Sequence, residues 1–254
     1  MDTRFWGPSG WKLFHLITFT YEPSNAKNVR NFLETLPYIL PCKFCRSSLT
    51  DYYREHPYEP HLHSRQSLIK WMYTIHNCVN DKLRNQGLNP HKDPTLSEVK
   101  KYYTSWINSC PMINKLTVFW DFLFSVAYNH PKESSRGSKP MPDCPIEAYT
   151  CKHECEKNKW NILTMEERIK WYNKFWELLP VVLPSEISHI WQQKTTNEPC
   201  LECRRSTIAW LWRTRCALDP GFKDPYTEIC KRVSSYSSEC SKSTRSKTCR
   251  KKRK

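Results

Sequence analysis

The stretch NFLETLPYILPC, residues 31–42, returns in altered form as KFWELLPVVLPS at residues 174–185, with Phe, Glu, Leu, Pro, Leu and Pro at matching positions. A second correspondence follows in the same order. SLIKWMYTIHNCVN from Ser67 and STIAWLWRTRCALD from Ser206 share Ser, Ile and Trp in register once a four-residue deletion is allowed. Two matches in one order, at nearly one offset, point to an internal duplication. Such a chain folds as two related halves, and the chemistry of one can be checked against the other. The copy has Ser185 and Ser188 where the first half has Cys42 and Cys45, and Arg215 and Cys216 where the first half has His76 and Asn77. It is therefore expected to be degenerate.

Both halves read as helical. Glycine is scarce, at 5 residues, while 11 Trp, 13 Tyr and 10 Phe recur at helical rather than alternating spacing, so an all-α fold is expected. Ser9 is a candidate cap for a helix starting near Gly10, with Trp11, Phe14, His15 and Thr18 on one face. Further helices are expected over Asn25–Leu40, stopped by Pro41, over Cys42 to about His56, over Ser64–Arg84 and, shorter, over Thr95–Ile107. Together they predict a four-helix bundle plus a short fifth helix. Leu116–Tyr128 is too short to span a bilayer and carries Asp121, so it reads as a buried helix and no membrane span is expected. The proline- and serine-rich stretch at 129–145 reads as a linker. The expected organisation is a first domain at 1–130, a cysteine-bearing linker at 131–158, a degenerate helical domain at 159–232 and a basic tail at 233–254.

Arg4, Lys12 and His15 interrupt the N-terminal stretch, so no signal peptide is expected and an intracellular location is. Thirteen cysteines in such a chain favour zinc or redox chemistry over passive bridging. The net charge of +15 is concentrated in KSTRSKTCRKKRK, residues 242–254, which suits contact with nucleic acid or another acidic surface.

Cys42-x-x-Cys45 can form an exchangeable disulfide, hold half of a zinc site or sit in a core. At a helix start the thiols feel unpaired backbone N–H groups and the positive end of the helix dipole, which favour thiolate. The next pair, Cys200 and Cys203, lies in the other half of the chain. In the helix from Ser64, His76 and Asn80 lie four apart, with Tyr73 and Asn77 beside them, and this polar stripe needs partners. Opposite WGPSGW, where Gly7 allows close approach and Trp11 and His15 offer flat rings, the arrangement suits a sandwiched aromatic cofactor.

Gly7-x-x-x-Trp11 with His15, Cys42-x-x-Cys45, and His76-Asn77-x-Val79-Asn80-x-Lys82-Leu83, in this order and approximate spacing over residues 1 to about 107, resemble the Erv/ALR family of FAD-linked sulfhydryl oxidases. The extra half and basic tail are similar to members carried by large DNA viruses, which implies the host cytoplasm or the virion as location. The resemblance implies a bundle holding FAD between helices, no metal, and electrons passing from reduced protein thiols through the CxxC pair and FAD to dioxygen, with hydrogen peroxide as product. By matching position, Cys45 would face the flavin and Cys42 receive the electrons. Trp11, His15, His76, Asn77, Asn80 and Lys82 would line the FAD site with Gly7, Val79 and Leu83, and Tyr21, Tyr102 and Trp106 would be further members of it. Relatives often carry a second, mobile cysteine pair, for which Cys151 and Cys155 are the candidates and Cys200 with Cys203 the competitors; the alternative for Cys151 and Cys155 is a structural role, stapling the second half to itself. Tyr73 stands where many relatives have a bridging cysteine, and Cys78 with Cys110 would be the substitute bridge. Family habit implies a homodimer, and the duplication offers an internal pseudo-dimer instead. Two readings compete: a zinc-stabilised nucleic-acid-binding protein using Cys42, Cys45, Cys200, Cys203 and the tail, and a non-catalytic scaffold.

Overall fold

A computed structural model describes residues 1–89, 91–131, 139–195 and 201–237. Cys200, part of the 131–158 segment and the basic stretch 242–254 lie outside the described residues, so the expectations placed on them have no structural account. The described residues form helices and no strand: α1 (Thr3–Phe19), α2 (Ala26–Ile39), α3 (Lys43–Glu55), α4 (Arg65–Asn85), α5 (Leu96–Ser109), α6 (Met112–Thr117), α7 (Trp120–Tyr128), α8 (Glu147–Thr150), α9 (Glu154–Lys159), α10 (Met165–Val182), α11 (Ser185–Lys194), α12 (Arg204–Leu218) and α13 (Tyr226–Ser235).

Most boundaries follow local chemistry. The Ser64 hydroxyl accepts the Ser67 N–H at 3.2 Å to start α4, and Thr95 with Glu98 forms a reciprocal capping box on α5. The start of α1 corrects the expectation. Asp2 caps it, its Oδ1 accepting the Arg4 N–H at 2.9 Å, so the helix begins well before Ser9 and carries Pro8 inside. Ser9 is buried and turns outward from its own helix, accepting the Phe122 N–H at 3.0 Å in the first turn of α7. The neighbouring Gly10 permits that approach, because a Cβ there would stand 3.1 Å from Phe122 Cδ2. The expected helix over Leu116–Tyr128 is two helices, α6 and α7, separated at Val118–Phe119.

The helix contacts run parallel to the repeated segments. In the first half α1 packs on α4 and α5, and α2 on α3; in the second α7 packs on α12 and α13, and α10 on α11. The halves meet through like elements, α1 on α7 and, most extensively, α2 on α10. Phe32 and Phe175, equivalent under the sequence repeat, face each other with ring centroids 5.4 Å apart. A residue that meets its own counterpart marks a local two-fold axis. α7 precedes residue 130, yet in the second half it occupies the place of α1. One apolar core runs from Met1 through Phe32, Trp71 and Phe122 to Phe175, Trp176, Trp210 and Val233. No helix among the described residues is long and apolar enough to cross a membrane.

Candidate active site

Pro41 ends α2, and Cys42 then adopts an extended conformation (φ −143°, ψ 121°) as the cap of α3. Its Sγ accepts the Cys45 N–H at 3.3 Å. The two thiols are unbridged; Cys42 is 2% exposed and Cys45 half-buried. Burial by itself raises the Cys42 thiol. Hydrogen bonds from the Cys45 side chain and N–H, with the positive charge at Met1 and Arg46, outweigh burial and hold Cys42 well below its ordinary value. Cys45 is pushed well up, first by its bond to Cys42, then by burial and repulsion from Cys42, with Lys82 and Arg46 acting the other way. The pair is thus split into one thiol that ionises readily and one that keeps its proton.

Both cysteines open onto a cavity of about 580 Å³ between α1, α3 and α4. Trp11 of α1 and His76 of α4 stack directly on each other in its wall, with centroids 3.8 Å apart and planes 11° from parallel, so these two rings stand together on one side instead of leaving room for a ring between them. His15 stands behind, its Nε2 3.0 Å from His76 Nδ1, and Tyr103 of α5 stacks on His15 at 4.4 Å. Lys82 spans from α4 to α3, donating to the Phe44 carbonyl and the Ser48 hydroxyl. Gly7 lines the cavity, and a Cβ built there would meet nothing within 4 Å. A slot with flat rings on one side, a redox-competent thiol pair on another and an ammonium group beside it fits a flat, anionic, polarisable cofactor such as FAD.

Of the residues expected at the cofactor, Gly7, Trp11, Cys45, His76, Val79, Asn80, Lys82 and Leu83 line this cavity, and Cys42 joins them. His15 reaches it through His76. Like His15, the other four expected residues do not line it. Tyr21 is buried near the far end of α1, its hydroxyl donating to the Leu62 carbonyl at 2.5 Å, because the chain turns away there to begin α2. Asn77 lies one position round α4 from His76 and misses the cavity wall. Tyr102, more than half exposed, pairs with Lys12, and Trp106 offers that same ammonium its ring face. Position 103 lines the cavity instead: Tyr103, one residue along α5 from Tyr102, points inward. The fit of α5 against α1 decides that rotation, and no local motif announces it. Asn80 is fixed by donating to Asp93 Oδ1 at 2.7 Å, and Arg84 holds the same carboxylate.

The remaining cysteines sit apart from this cavity. Cys151 is half-buried at the end of α8 and Cys155 is exposed on α9. α9 is fastened to the first half: Asn158 donates to the Pro37 carbonyl at 2.9 Å, and Arg54 pairs with Glu156 at 3.2 Å. Cys78 and Cys110 are unbridged. No group of three His, Cys, Asp or Glu among the described residues is placed to hold a metal ion.

The histidine pair makes the fold acid-sensitive. Burial, then the charges of His76 and Lys12, pull His15 down to about 3, and burial pulls His76 down to about 4 against a small opposing pull from Asp93. Both are neutral in the fold, so their contribution is fully present above the unfolded value near 6.5 and is lost as pH falls below it. Between pH 7 and pH 5 the pair is expected to lose about 2–4 kcal/mol of stability. Thermal melting across that range checks this, and His15→Gln should flatten the slope; an unchanged slope would show that the pair does not couple to folding.

Residues 8–104 match the Erv1 / Alr family. The chain is similar to a protein of Acanthamoeba polyphaga mimivirus named a probable FAD-linked sulfhydryl oxidase, with 34% identity over 85 residues, 32% of this chain and 59% of the relative. It is 34% identical over 87 residues to the mitochondrial FAD-linked sulfhydryl oxidase of Saccharomyces cerevisiae, covering 33% of this chain and 45% of that one. A protein of Invertebrate iridescent virus 6, named for the same oxidase, is 30% identical over 92 residues, which are 33% of this chain and 83% of the relative. The chain thus spans 59% and 45% of the first two relatives, and no solved structure matches it. The matched span carries α1 through α4 with the CxxC pair and the stacked Trp11 and His76, and on this the chain belongs to the Erv1 / Alr family.

Proposed function

We propose that the chain is an FAD-dependent thiol oxidase that forms disulfides in protein substrates. The observation that carries the reading is the pairing of an easily ionised Cys42 with a proton-holding Cys45 on the wall of the cavity where Trp11 and His76 stack. The names of the relatives, cellular and viral, support it. FAD, when bound, would take the electron pair from the dithiol and deliver it to dioxygen, giving hydrogen peroxide. The chain's own residues do the rest. In the oxidised pair a substrate thiolate attacks Cys42, and a second substrate thiol resolves the mixed disulfide, leaving Cys42 as thiolate and Cys45 as thiol. Cys45, held by its bond to Cys42 and facing the Lys82 side, is the thiol next to the cofactor. Trp11 and His76 hold the ring, and neutral His15 fixes the tilt of His76. Because Cys42 is buried, attack requires local opening beside it, where the Met1 nitrogen donates to the Pro41 carbonyl and Lys43 to the Pro140 carbonyl.

The second half takes no electrons in this proposal. Ser185 and Ser188 at the start of α11 stand where α3 has its thiols, and α10 covers the α2 face as a second copy of the chain otherwise would. Cys151 and Cys155 are the proposed relay to bulky substrates, and using Cys155 means releasing α9 from α3. The viral relatives support a viral protein acting in host cytoplasm or virion.

Purified full-length protein is expected to be yellow, with one FAD per chain by absorbance against protein mass, and to consume dioxygen when given a reduced dithiol. A colourless protein with one zinc per chain would replace this reading with the zinc-stabilised one. Two flavins per chain would overturn the degenerate copy.

A further inference from the structure

Directly after the CxxC pair stands Arg46, 6% exposed. Its backbone N–H bonds the Cys42 carbonyl at 3.0 Å, and its guanidinium turns back to the chain entering the pair, Nη1 donating to the Leu40 carbonyl at 2.8 Å. The other arm, Nη2, donates at 2.6 Å to Oδ1 of Asn161, a residue from beyond α9. Asn161 is itself pinned, its Nδ2 donating to the Lys139 carbonyl at 2.6 Å and its φ at 59°.

The identity of that partner matters. A buried guanidinium ordinarily meets a carboxylate, which neutralises it. An amide satisfies the same N–H at the same distance without neutralising it. The ionisable groups acting most on Arg46 are Arg168, Tyr172, Cys42 and Cys45, and none is a carboxylate. The cation thus keeps its field in a low-dielectric site where, among the described residues, the groups acting most on it that ionise to anions under ordinary conditions are the two thiols. The plainer role, a polar tie between α3 and the second half, accounts for the hydrogen bonds but not for the choice of an amide.

We propose that Arg46, held uncompensated by Asn161, is a positioning residue that stabilises the Cys42 thiolate and so makes the Cys42–Cys45 disulfide more oxidising, which gives the catalytically empty second half a part in setting the potential of the first. The balance is that of dithiol exchange. A substrate dithiol gives up two electrons and two protons to become a disulfide, the Cys42–Cys45 bond breaks, one proton stays on Cys45 and one goes to solvent, leaving Cys42 as thiolate beside Arg46. Stabilising that thiolate stabilises the reduced form and raises the potential. Cys42, Cys45 and Arg46 belong to the site on which the oxidase reading rests, but this inference concerns thiol chemistry that needs no flavin to observe.

The test uses the full chain. The fully reduced protein is alkylated with iodoacetamide across a pH series, and the Cys42-containing peptide is followed by mass spectrometry. In parallel, the pair is equilibrated in dithiothreitol redox buffers and trapped. Arg46→Met should move the Cys42 alkylation midpoint up by about one pH unit or more and lower the equilibrium constant for reduction about tenfold, or ~30 mV. Asn161→Asp is the discriminating variant: it keeps the acceptor oxygen for Arg46 and tolerates the positive φ, gives up the bond to the Lys139 carbonyl, and adds the neutralising charge, and only the charge acts on the thiol readouts. It should shift both readouts in the same direction as Arg46→Met with helix content and melting retained. An Asn161→Asp protein whose Cys42 midpoint and potential match the parent would overturn the proposal and leave Arg46 a structural tie. That variant decides the matter even where Arg46→Met fails to fold. Absence of flavin or of dithiol oxidation in the parent would overturn the oxidase reading alone, since the Cys42 midpoint is read without either.

Discussion

A Cys45→Ser chain is expected to keep its flavin and to lose dithiol oxidation by ~10³-fold or more, because a hydroxyl cannot hand an electron pair to the ring. Cys42→Ser should be equally inactive, since no thiol then accepts the substrate's attack, but the two variants should differ in colour. Cys45 is kept protonated first of all by its bond to Cys42, and Lys82 and Arg46 pull the other way. With Cys42 gone, Cys45 loses that bond and the neighbouring negative charge, becomes a thiolate more easily, and can donate charge to oxidised flavin. A broad long-wavelength absorbance should therefore appear in Cys42→Ser on raising the pH and be absent from Cys45→Ser. The opposite assignment of the band would reverse the roles of the two thiols, and its absence from both would argue that neither lies against the ring.

The second large effect concerns stability. Phe175 is fully buried on α10 and packs on Phe32 at the local two-fold axis, with Phe122 of α7 and Trp176 also in ring contact. Truncation to alanine there should cost about 3–5 kcal/mol, the range for emptying a large aromatic from a core that cannot collapse around the gap. Because one core joins the halves, the loss should be shared. Urea unfolding followed by tryptophan fluorescence and by flavin release should give coincident transitions, both displaced to lower denaturant in Phe175→Ala. A flavin-release transition that stayed in place while fluorescence moved would show that the first half stands without the second. Since α2 carries Phe32 and leads through Leu40 and Pro41 directly into Cys42, weakening this contact should also loosen the start of α3, where the thiols are held.

Much of this was open to reading along the chain. Helix identity is a local property: apolar spacing, proline at residue 41 and the Ser64 and Thr95 caps act within a turn or two, so α2 to α5 lie where those residues indicate. The place of the CxxC at a helix start is legible from the residues themselves, whereas the other residues expected at the cofactor were named by matching positions to the family the chain resembles, and eight of the expected residues line one cavity. Two placements that local pattern did not give share one cause. Ser9 looks like a cap for its own helix, but its hydroxyl serves a residue far along the chain, Phe122, and Asp2 takes the nearer task. Tyr102 and Tyr103 are alike in composition, and only the contact of α5 with α1 selects Tyr103 for the cavity.

What the sequence by itself determined is where α2 to α5 lie, the thiol pair with its thiolate-favouring setting, the ring-bearing motifs and the repeated segments, because each is written in residue type and short-range spacing. What only the tertiary structure decided is how distant segments answer one another. α7 shares no readable motif with α1, yet takes its place because the second half needs a helix on that face of α12. Asn161 means nothing in the sequence until the fold sets it against Arg46, where burial turns a neutral amide into the reason a charge stays unpaired. Burial and charge depend on the summed environment of a group in three dimensions, and that sum is taken only when the two halves close on one core.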